Sequence, residues 1–165
     1  MSPISKGLAS IAVVAVLSST AGAQGLVSQK NIPLTLAQTI ANAAIEKCQS
    51  MGYKVSVSVT VIDRAGMPLV MLRGDGAGLH TPEGADRKAY TARPYGSPSA
   101  NFAKGVQSDP GYAPAIQYTR VLALGGGLPI KAGNEVVGAV GVSGSPGKDD
   151  VCSQAGIDKV ADQLK

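Results

Sequence analysis

The hydrophobic pattern begins with a helix and continues into a pair of strands. Apolar residues recur at helical spacing from Leu36 to Met51, and Gly52 is placed to end that helix. Thr35 and Gln38 fit a capping box at its start.

Strand-like alternation follows this first helix. Val55 to Val61 places valine at every second position, between serine and threonine, which is typical of a strand with one buried face. A turn at 63–66, in which Asp63 is expected to cap the backbone, leads to a second strand at 68–73. The two strands are therefore predicted to form a hairpin.

The rest of the chain predicts three more helices and three more strands. Thr-Pro at 81–82 and Ser-Pro at 97–98 are typical of helix starts, and these helices should end near Arg93 and Gly105. Beyond them the pattern predicts strands at 121–124, 128–131 and 135–143 and a last helix at 149–164. Five strands joined by tight turns indicate an α+β fold, with helices packed on an antiparallel sheet.

The first 23 residues are typical of a cleaved secretory signal peptide. Lys6 is the only charge there, residues 7–17 form an apolar run, and residues 21–23 supply the small Ala-Gly-Ala pattern. An uncleaved membrane anchor is the alternative, but a span needs roughly 20 apolar residues. We therefore expect cleavage after Ala23, a short lead-in at 24–33, one domain at 34–165 and a periplasmic or secreted protein with no membrane span after cleavage.

Composition excludes several classes of function. The chain has 165 residues and a formal net charge of +4, without a dense basic run or an aromatic-studded basic stripe, so nucleic acid is not an expected partner. One His and two Cys exclude a His-rich zinc site and a CxxC site. Ile130 replaces the third glycine of a dinucleotide-binding motif that would start at Gly125.

Four segments together resemble the GlcG/HbpS family, also called the haem-degrading domain or DUF336. They are VTVIDRAGMPLVMLRGDGAG, ADRKAYTA, LALGGGLPI and EVVGAVGVSGSPGKDDVCSQAG, and the resemblance spans residues 34–164. It implies a profilin-like α-β-α fold with a five-stranded antiparallel sheet, and commonly a homo-oligomer. Several members are extracellular or periplasmic haem binders, and some are credited with haem degradation.

The resemblance makes haem the leading candidate ligand and His80 the leading axial ligand, because imidazole suits iron. A surface or helix-capping histidine is the alternative. On the following helix, Arg87 and Lys88 could meet haem propionates, and Tyr90 or Thr91 could offer an oxygen to iron. The alternative for these four residues is a solvated basic face with Tyr90 packed on the core.

Aromatic residues are scarce, with one Phe and no Trp, so haem would need a shallow site or one shared between subunits. The glycines at 125–127, 138 and 141 could let either a flat ligand or another backbone come close.

The two cysteines are predicted to form a disulfide. Cys48 lies near the end of the first helix and Cys152 near the start of the last, so the two ends are neighbours if these helices pack antiparallel. Export would permit the bond, and two buried thiols are the alternative.

Three functions stay open at this stage. They are an exported haem-binding module for capture, buffering or sensing, an enzyme that oxidatively degrades haem, and a cofactor-free oligomer that binds another small ligand or a partner. No catalytic residue is assigned.

Overall fold

The computed structural model describes residues 25–53 and 56–165, and within them the fold is α+β. Its four α-helices are α1 (Leu34–Cys48), α2 (Thr81–Tyr95), α3 (Ser99–Ser108) and α4 (Asp149–Asp158). Its four strands are β1 (Ser58–Asp63), β2 (Pro68–Arg73), β3 (Gly127–Ala132) and β4 (Glu135–Ser143). The predicted signal peptide, residues 1–23, lies outside the described residues.

The strands form one antiparallel sheet in the order β2-β1-β4-β3. β1 and β2 make the predicted hairpin, and its turn is closed by Asp63, whose Oδ1 accepts a hydrogen bond from the backbone N–H of Met67 at 2.8 Å. β3 and β4 make a second hairpin, so that the two hairpins meet along β1 and β4.

Alternation along β1 sends its side chains into two different helix layers. Val59 and Val61 belong to the main core, which α1 and α4 cover, and this core is rich in valine, alanine and isoleucine. On the opposite face Ile62 packs against alanines of α2, and the Ser58 and Thr81 hydroxyl oxygens are 2.8 Å apart. The sheet is therefore covered on both faces.

Glycines in β3 and β4 let α2 pack directly on the sheet. A side chain at Gly127 would overlap the backbone carbonyl of Lys88, and one at Gly141 would overlap that of Ala85. At these two positions, the glycines thus permit close packing of a backbone, and no room is left there for a flat ligand.

The prediction of five strands is wrong, because residues 121–124 pair with no strand in the described part of the chain. Their backbone groups bond instead to helix side chains: the Leu122 N–H donates to Thr91 Oγ1 at 2.9 Å, and the Leu124 carbonyl accepts from Ser99 Oγ at 2.7 Å. The segment has the composition of a strand, but α2 and α3 satisfy its hydrogen bonds.

The ends of the helices differ from several predictions. The capping box at Thr35 and Gln38 is wrong, because α1 begins at Leu34 and the carbonyl of Pro33 already accepts its first hydrogen bonds. α1 ends at Cys48 and a π-helical turn over Gln49–Tyr53 follows it, in which Gly52 has a left-handed φ of 92°, so the helical path stops at the predicted glycine. The N-cap of α2 lies at residue 80, one residue earlier than predicted. Helix α3 continues to residue 108, past its predicted end near Gly105. Helix α4 ends at residue 158, before its predicted end at 164.

The structure contains the predicted disulfide between Cys48 and Cys152, whose Cα atoms are 5.5 Å apart. Both cysteines are fully buried where α1 and α4 meet. Among the described residues, no helix has the length and apolar character that a membrane crossing requires.

Candidate functional site

His80 stands exposed at the N-terminal end of α2. It occupies the N-cap position, but its side chain makes no capping hydrogen bond. The ring lies over Gly78, where an added Cβ would be 3.0 Å from Cε1 of the imidazole. No residue in the described ranges forms a hydrogen bond with the ring, so both of its nitrogens are available to a ligand.

His80 lines a pocket of about 440 Å³ at the meeting point of α2, the end of β4 and the start of α4. The pocket is open to solvent and has no aromatic lining residue. Its other lining residues are Lys88, Leu124, Gly125, Ser143, Gly144, Pro146, Gly147, Asp149 and Asp150.

Lys88, on α2, also lines this pocket. It is the most buried charged residue among those described, with 1% of its side chain exposed. Its Nζ donates to Asp149 Oδ2 at 2.6 Å and to the Val142 carbonyl at 3.1 Å. The other oxygen of Asp149 accepts the backbone N–H and the hydroxyl of Ser145. The ion pair is thus complete without a ligand, and its charges cancel inside the protein.

Two exposed leucines lie near His80, one beside it in the chain and one in the lining of the same pocket. Leu79, the preceding residue, is 92% exposed, and Leu124, which lines the pocket, is 52% exposed. Their position next to the only histidine gives this end of the molecule apolar surface that a flat apolar ligand could cover.

Arg87 and Thr91 lie on the side of α2 that faces the 121–124 segment. Nη1 of Arg87 pairs with Glu83 at 3.1 Å and its Nη2 donates to the Val121 carbonyl at 2.8 Å. Thr91 is fully buried, and its hydroxyl bonds to the backbone of Arg87 and of Leu122. Both side chains therefore connect α2 to this segment.

Tyr90 lines a different pocket, toward the C-terminal end of α2, which has a volume of about 470 Å³. The Arg120 guanidinium stacks on its ring, 4.2 Å from the centroid. Of the five predicted cofactor-binding residues, the structure therefore brings only His80 and Lys88 to one pocket. The haem-contact roles of Arg87, Lys88, Tyr90 and Thr91 stay predictions.

The sequence pattern does not predict the positions of two sets of polar residues near these pockets. Asp149 is the first position of the predicted last helix, and nothing in the spacing indicates that it pairs with Lys88. Arg120 and the neighbouring Tyr118 follow no periodic pattern, and they reach α2 only through the folded path of residues 109–121.

Tyr95, at the end of α2, has a perturbed acidity. Burial raises the pKa of its phenol above the ordinary value of 10.0, and the nearby phenols of Tyr112 and Tyr118 raise it further by opposing a second negative charge. The ring of Tyr95 packs on Phe102 with centroids 4.9 Å apart. Because 40% of the residue stays exposed, burial covers only part of the phenol.

Within residues 25–53 and 56–165, no group of three or more His, Cys, Asp or Glu side chains is placed to hold a metal ion. The single imidazole is the strongest neutral nitrogen ligand that the described surface offers.

Residues 32–158 match a family model described as "Haem degrading protein HbpS-like". A protein of Citrobacter freundii, described as an uncharacterized 15.0 kDa protein in the dhaT-dhaS intergenic region, is 33% identical over 127 residues, which are 74% of this chain and 88% of that protein.

Two crystal structures are also similar to this chain. A double mutant of HbpS from Streptomyces reticuli is 37% identical with a TM-score of 0.74, over 82% of this chain and 92% of that one. A PduOC–haem complex is 26% identical with a TM-score of 0.70, over 78% of this chain and 94% of that one.

Proposed function

Because the chain belongs to the HbpS-like family, we propose that it is an exported haem-binding protein, used in haem capture, buffering or sensing. The observation that carries the proposal is the lone imidazole of His80, exposed at a pocket mouth with no hydrogen bond in the described part of the chain. The similar PduOC structure, which contains haem, supports the choice of ligand.

The residues around His80 fit haem at an open site. A neutral imidazole nitrogen is a common axial ligand of haem iron, and the exposed side chains of Leu79 and Leu124 offer apolar contact to a porphyrin edge. When bound there, haem would supply an absorbing, redox-active iron centre. Such an open site suits reversible holding of haem, and a second subunit of the expected homo-oligomer could complete the cover.

Lys88 is a weak candidate for a propionate contact, because its ammonium already bonds to Asp149 and to a backbone carbonyl. Arg87 keeps 28% of its side chain exposed, and its Nη1 could exchange Glu83 for a propionate at low cost while Nη2 keeps its hydrogen bond to the Val121 carbonyl. We therefore propose His80 as the ligand and Arg87 as a minor contact.

Titration with haem tests the proposal. Wild-type protein with its disulfide formed should show a saturable Soret change. His80→Ala should shift the Soret maximum and weaken haem binding, because the chain has no second imidazole. Arg87→Ala should weaken binding less, and Lys104→Ala, an exposed cation on α3, should leave it unchanged.

Two results would contradict this assignment in different ways. Without any saturable Soret change, haem is not the ligand and a cofactor-free function is favoured. With an unchanged spectrum in His80→Ala, haem binds but its iron ligand is elsewhere, and Tyr90 becomes the next candidate.

A catalytic role in haem degradation makes a separate prediction. Loss of the Soret band with reductant and oxygen, in the presence of catalase and with a defined product, would assign an enzyme. Catalase is needed because hydrogen peroxide bleaches haem without any enzyme.

Export is part of the proposal and has its own measurement. Intact-mass analysis of protein from the native host should give a mature N-terminus at Gln24. A mature protein that keeps Met1 would contradict it.

A further inference from the structure

Two adjoining pockets form one groove along the C-terminal half of α2, which we call the tyrosine groove. They share Tyr90 and Pro94 as walls. The larger pocket, about 470 Å³, is completed by Tyr95, Tyr118, Thr119, Arg120 and Val121. The smaller, about 170 Å³, is completed by Arg64, Ala65, Gly66 and Arg93. One end of the groove is therefore aromatic and the other is cationic.

The central wall of the groove is held in position. Arg120 donates to both oxygens of Asp86, at 2.8 and 3.3 Å, and to the Gly66 carbonyl at 2.9 Å. Its guanidinium also lies on the Tyr90 ring, 4.2 Å from the centroid. Arg120 therefore supports the Tyr90 ring. Because Asp86 neutralises Arg120, the groove has no net charge at that point.

Arg93 is the charge that the groove leaves uncompensated. Its Nε is buried without a hydrogen-bond partner, and within the described part of the chain no carboxylate lies within 4.0 Å of its guanidinium. Arg64, at the same end, is paired with Glu135 at 3.1 Å. Because no carboxylate among the described residues neutralises it, the partly exposed guanidinium of Arg93 offers an unpaired positive charge to an anionic group in the groove.

We propose that the tyrosine groove binds a small planar aromatic carboxylate, at a site distinct from the haem site at His80. The aromatic body would lie among the rings of Tyr90, Tyr95 and Tyr118, which favour offset or edge-on contacts with another ring. The carboxylate would take both parallel N–H groups of Arg93, the geometry that a guanidinium fork matches.

Size and position agree with this ligand class. The aromatic end has a volume within the range of small-molecule pockets. The groove begins at Tyr90, ten residues after His80, which corresponds to roughly 15 Å along the helix. One small ligand therefore cannot span both sites.

Titration of 2-naphthoate into the oxidised, haem-free protein tests the inference by calorimetry. Wild type should bind 2-naphthoate saturably, and it should bind neutral 2-naphthamide at least about tenfold more weakly. Arg93→Gln should weaken naphthoate binding about tenfold, Arg93→Lys should weaken it less, and Tyr118→Ala should also weaken it. Lys104→Gln serves as the matched control and should bind like wild type.

Arg93→Gln should also unfold at the wild-type temperature, because its guanidinium makes no hydrogen bond to any described residue. Loss of binding would then reflect the site and not the fold. His80→Ala should bind naphthoate with unchanged affinity, so this test is independent of the haem proposal.

Three results would show that the groove does not bind an aromatic carboxylate. They are the absence of saturable naphthoate binding, equal binding by wild type and Arg93→Gln, and equal affinity for naphthoate and naphthamide. If haem displaces naphthoate and Arg93→Gln also weakens haem binding, the groove belongs to the haem site and the claim of a separate site is wrong.

Discussion

At the scale of single residues, Lys88 and Asp149 beside the candidate haem site form the most buried ion pair among the described residues. It joins the middle of α2 to the first residue of α4, and the backbone of β4 accepts a further hydrogen bond from the same ammonium. A charge buried in this way stabilises the fold only while its partner remains.

Lys88→Met should therefore destabilise the protein by about 3 kcal/mol, because Asp149 would keep a buried, unpaired charge. Urea unfolding measures the change. Lys104→Met, at an exposed position, should alter stability by less than about 0.5 kcal/mol. Equal unfolding midpoints for the two variants would show that the pair contributes no stability.

Tyr95 makes stability depend on pH in the alkaline range. Its pKa is raised in the folded state, so between 10.0 and that higher value the folded chain holds a proton that the unfolded chain has lost. Stability present below pH 10 is then lost as pH rises through the folded-state pKa.

Tyr95→Phe should flatten this alkaline loss of stability and remove a late-ionising phenol from a spectrophotometric titration. Tyr53→Phe, which removes a phenol from another part of the molecule, should keep both features. A late ionisation that persists in Tyr95→Phe would assign the shift to another tyrosine.

At the scale of the elements, α2 connects the features of interest because it lies directly on the sheet. Two glycines of β3 and β4 allow the contact, and small residues of α2 face them. The helix cannot move away from the sheet without separating Lys88 from Asp149.

Gly141→Ala should destabilise the protein by about 1–3 kcal/mol or prevent folding, because the new methyl group would overlap the Ala85 carbonyl. Thermal unfolding measures the change. Gly25→Ala is the matched control, since nothing lies within 4 Å of the Cβ position there. A Gly141→Ala variant as stable as wild type would mean that α2 can shift at low cost.

Most elements could be predicted because their own side chains show the period of the structure they form. The valine alternation in β1 and the apolar repeat of α1 are examples, and the resemblance to the family is confirmed by the match over residues 32–158. Residues 121–124 show the limit of this reasoning. Their valine and leucine content suits a strand, but the hydroxyls of Thr91 and Ser99, remote in sequence, determine their hydrogen bonds.

Some parts of the candidate sites could be predicted from the sequence and others could not. His80 could be singled out because it is the only histidine and because of the family resemblance. The tyrosine groove could not be predicted, since it forms only when Tyr118 and Arg120 fold back over α2. The burial of Lys88 was also missed, because lysine is usually exposed and its partner is remote in sequence.

At the scale of the whole molecule, the disulfide connects the first and last α-helices on the same face of the sheet. Its two cysteines are 104 positions apart in the chain, so the bond restricts the unfolded state far more than it restricts the fold.

Replacing both Cys48 and Cys152 with alanine should lower the free energy of unfolding by up to about 4–5 kcal/mol, the chain-entropy value for a loop of this size. Urea unfolding of the oxidised proteins measures the difference. A thiol assay on unfolded, oxidised wild type should find no free thiol. Two thiols per chain, or unfolding midpoints that coincide, would contradict the prediction.

The same bond divides the chain into a closed ring and two open ends. Every residue proposed to touch haem or the aromatic carboxylate lies inside the ring, between positions 48 and 152. One proteolytic cut in a loop of the ring would therefore leave the pieces covalently joined, with both binding sites still on one molecule. If the chain is exported and binds these ligands as proposed, a nicked protein would thus keep them until the disulfide is reduced.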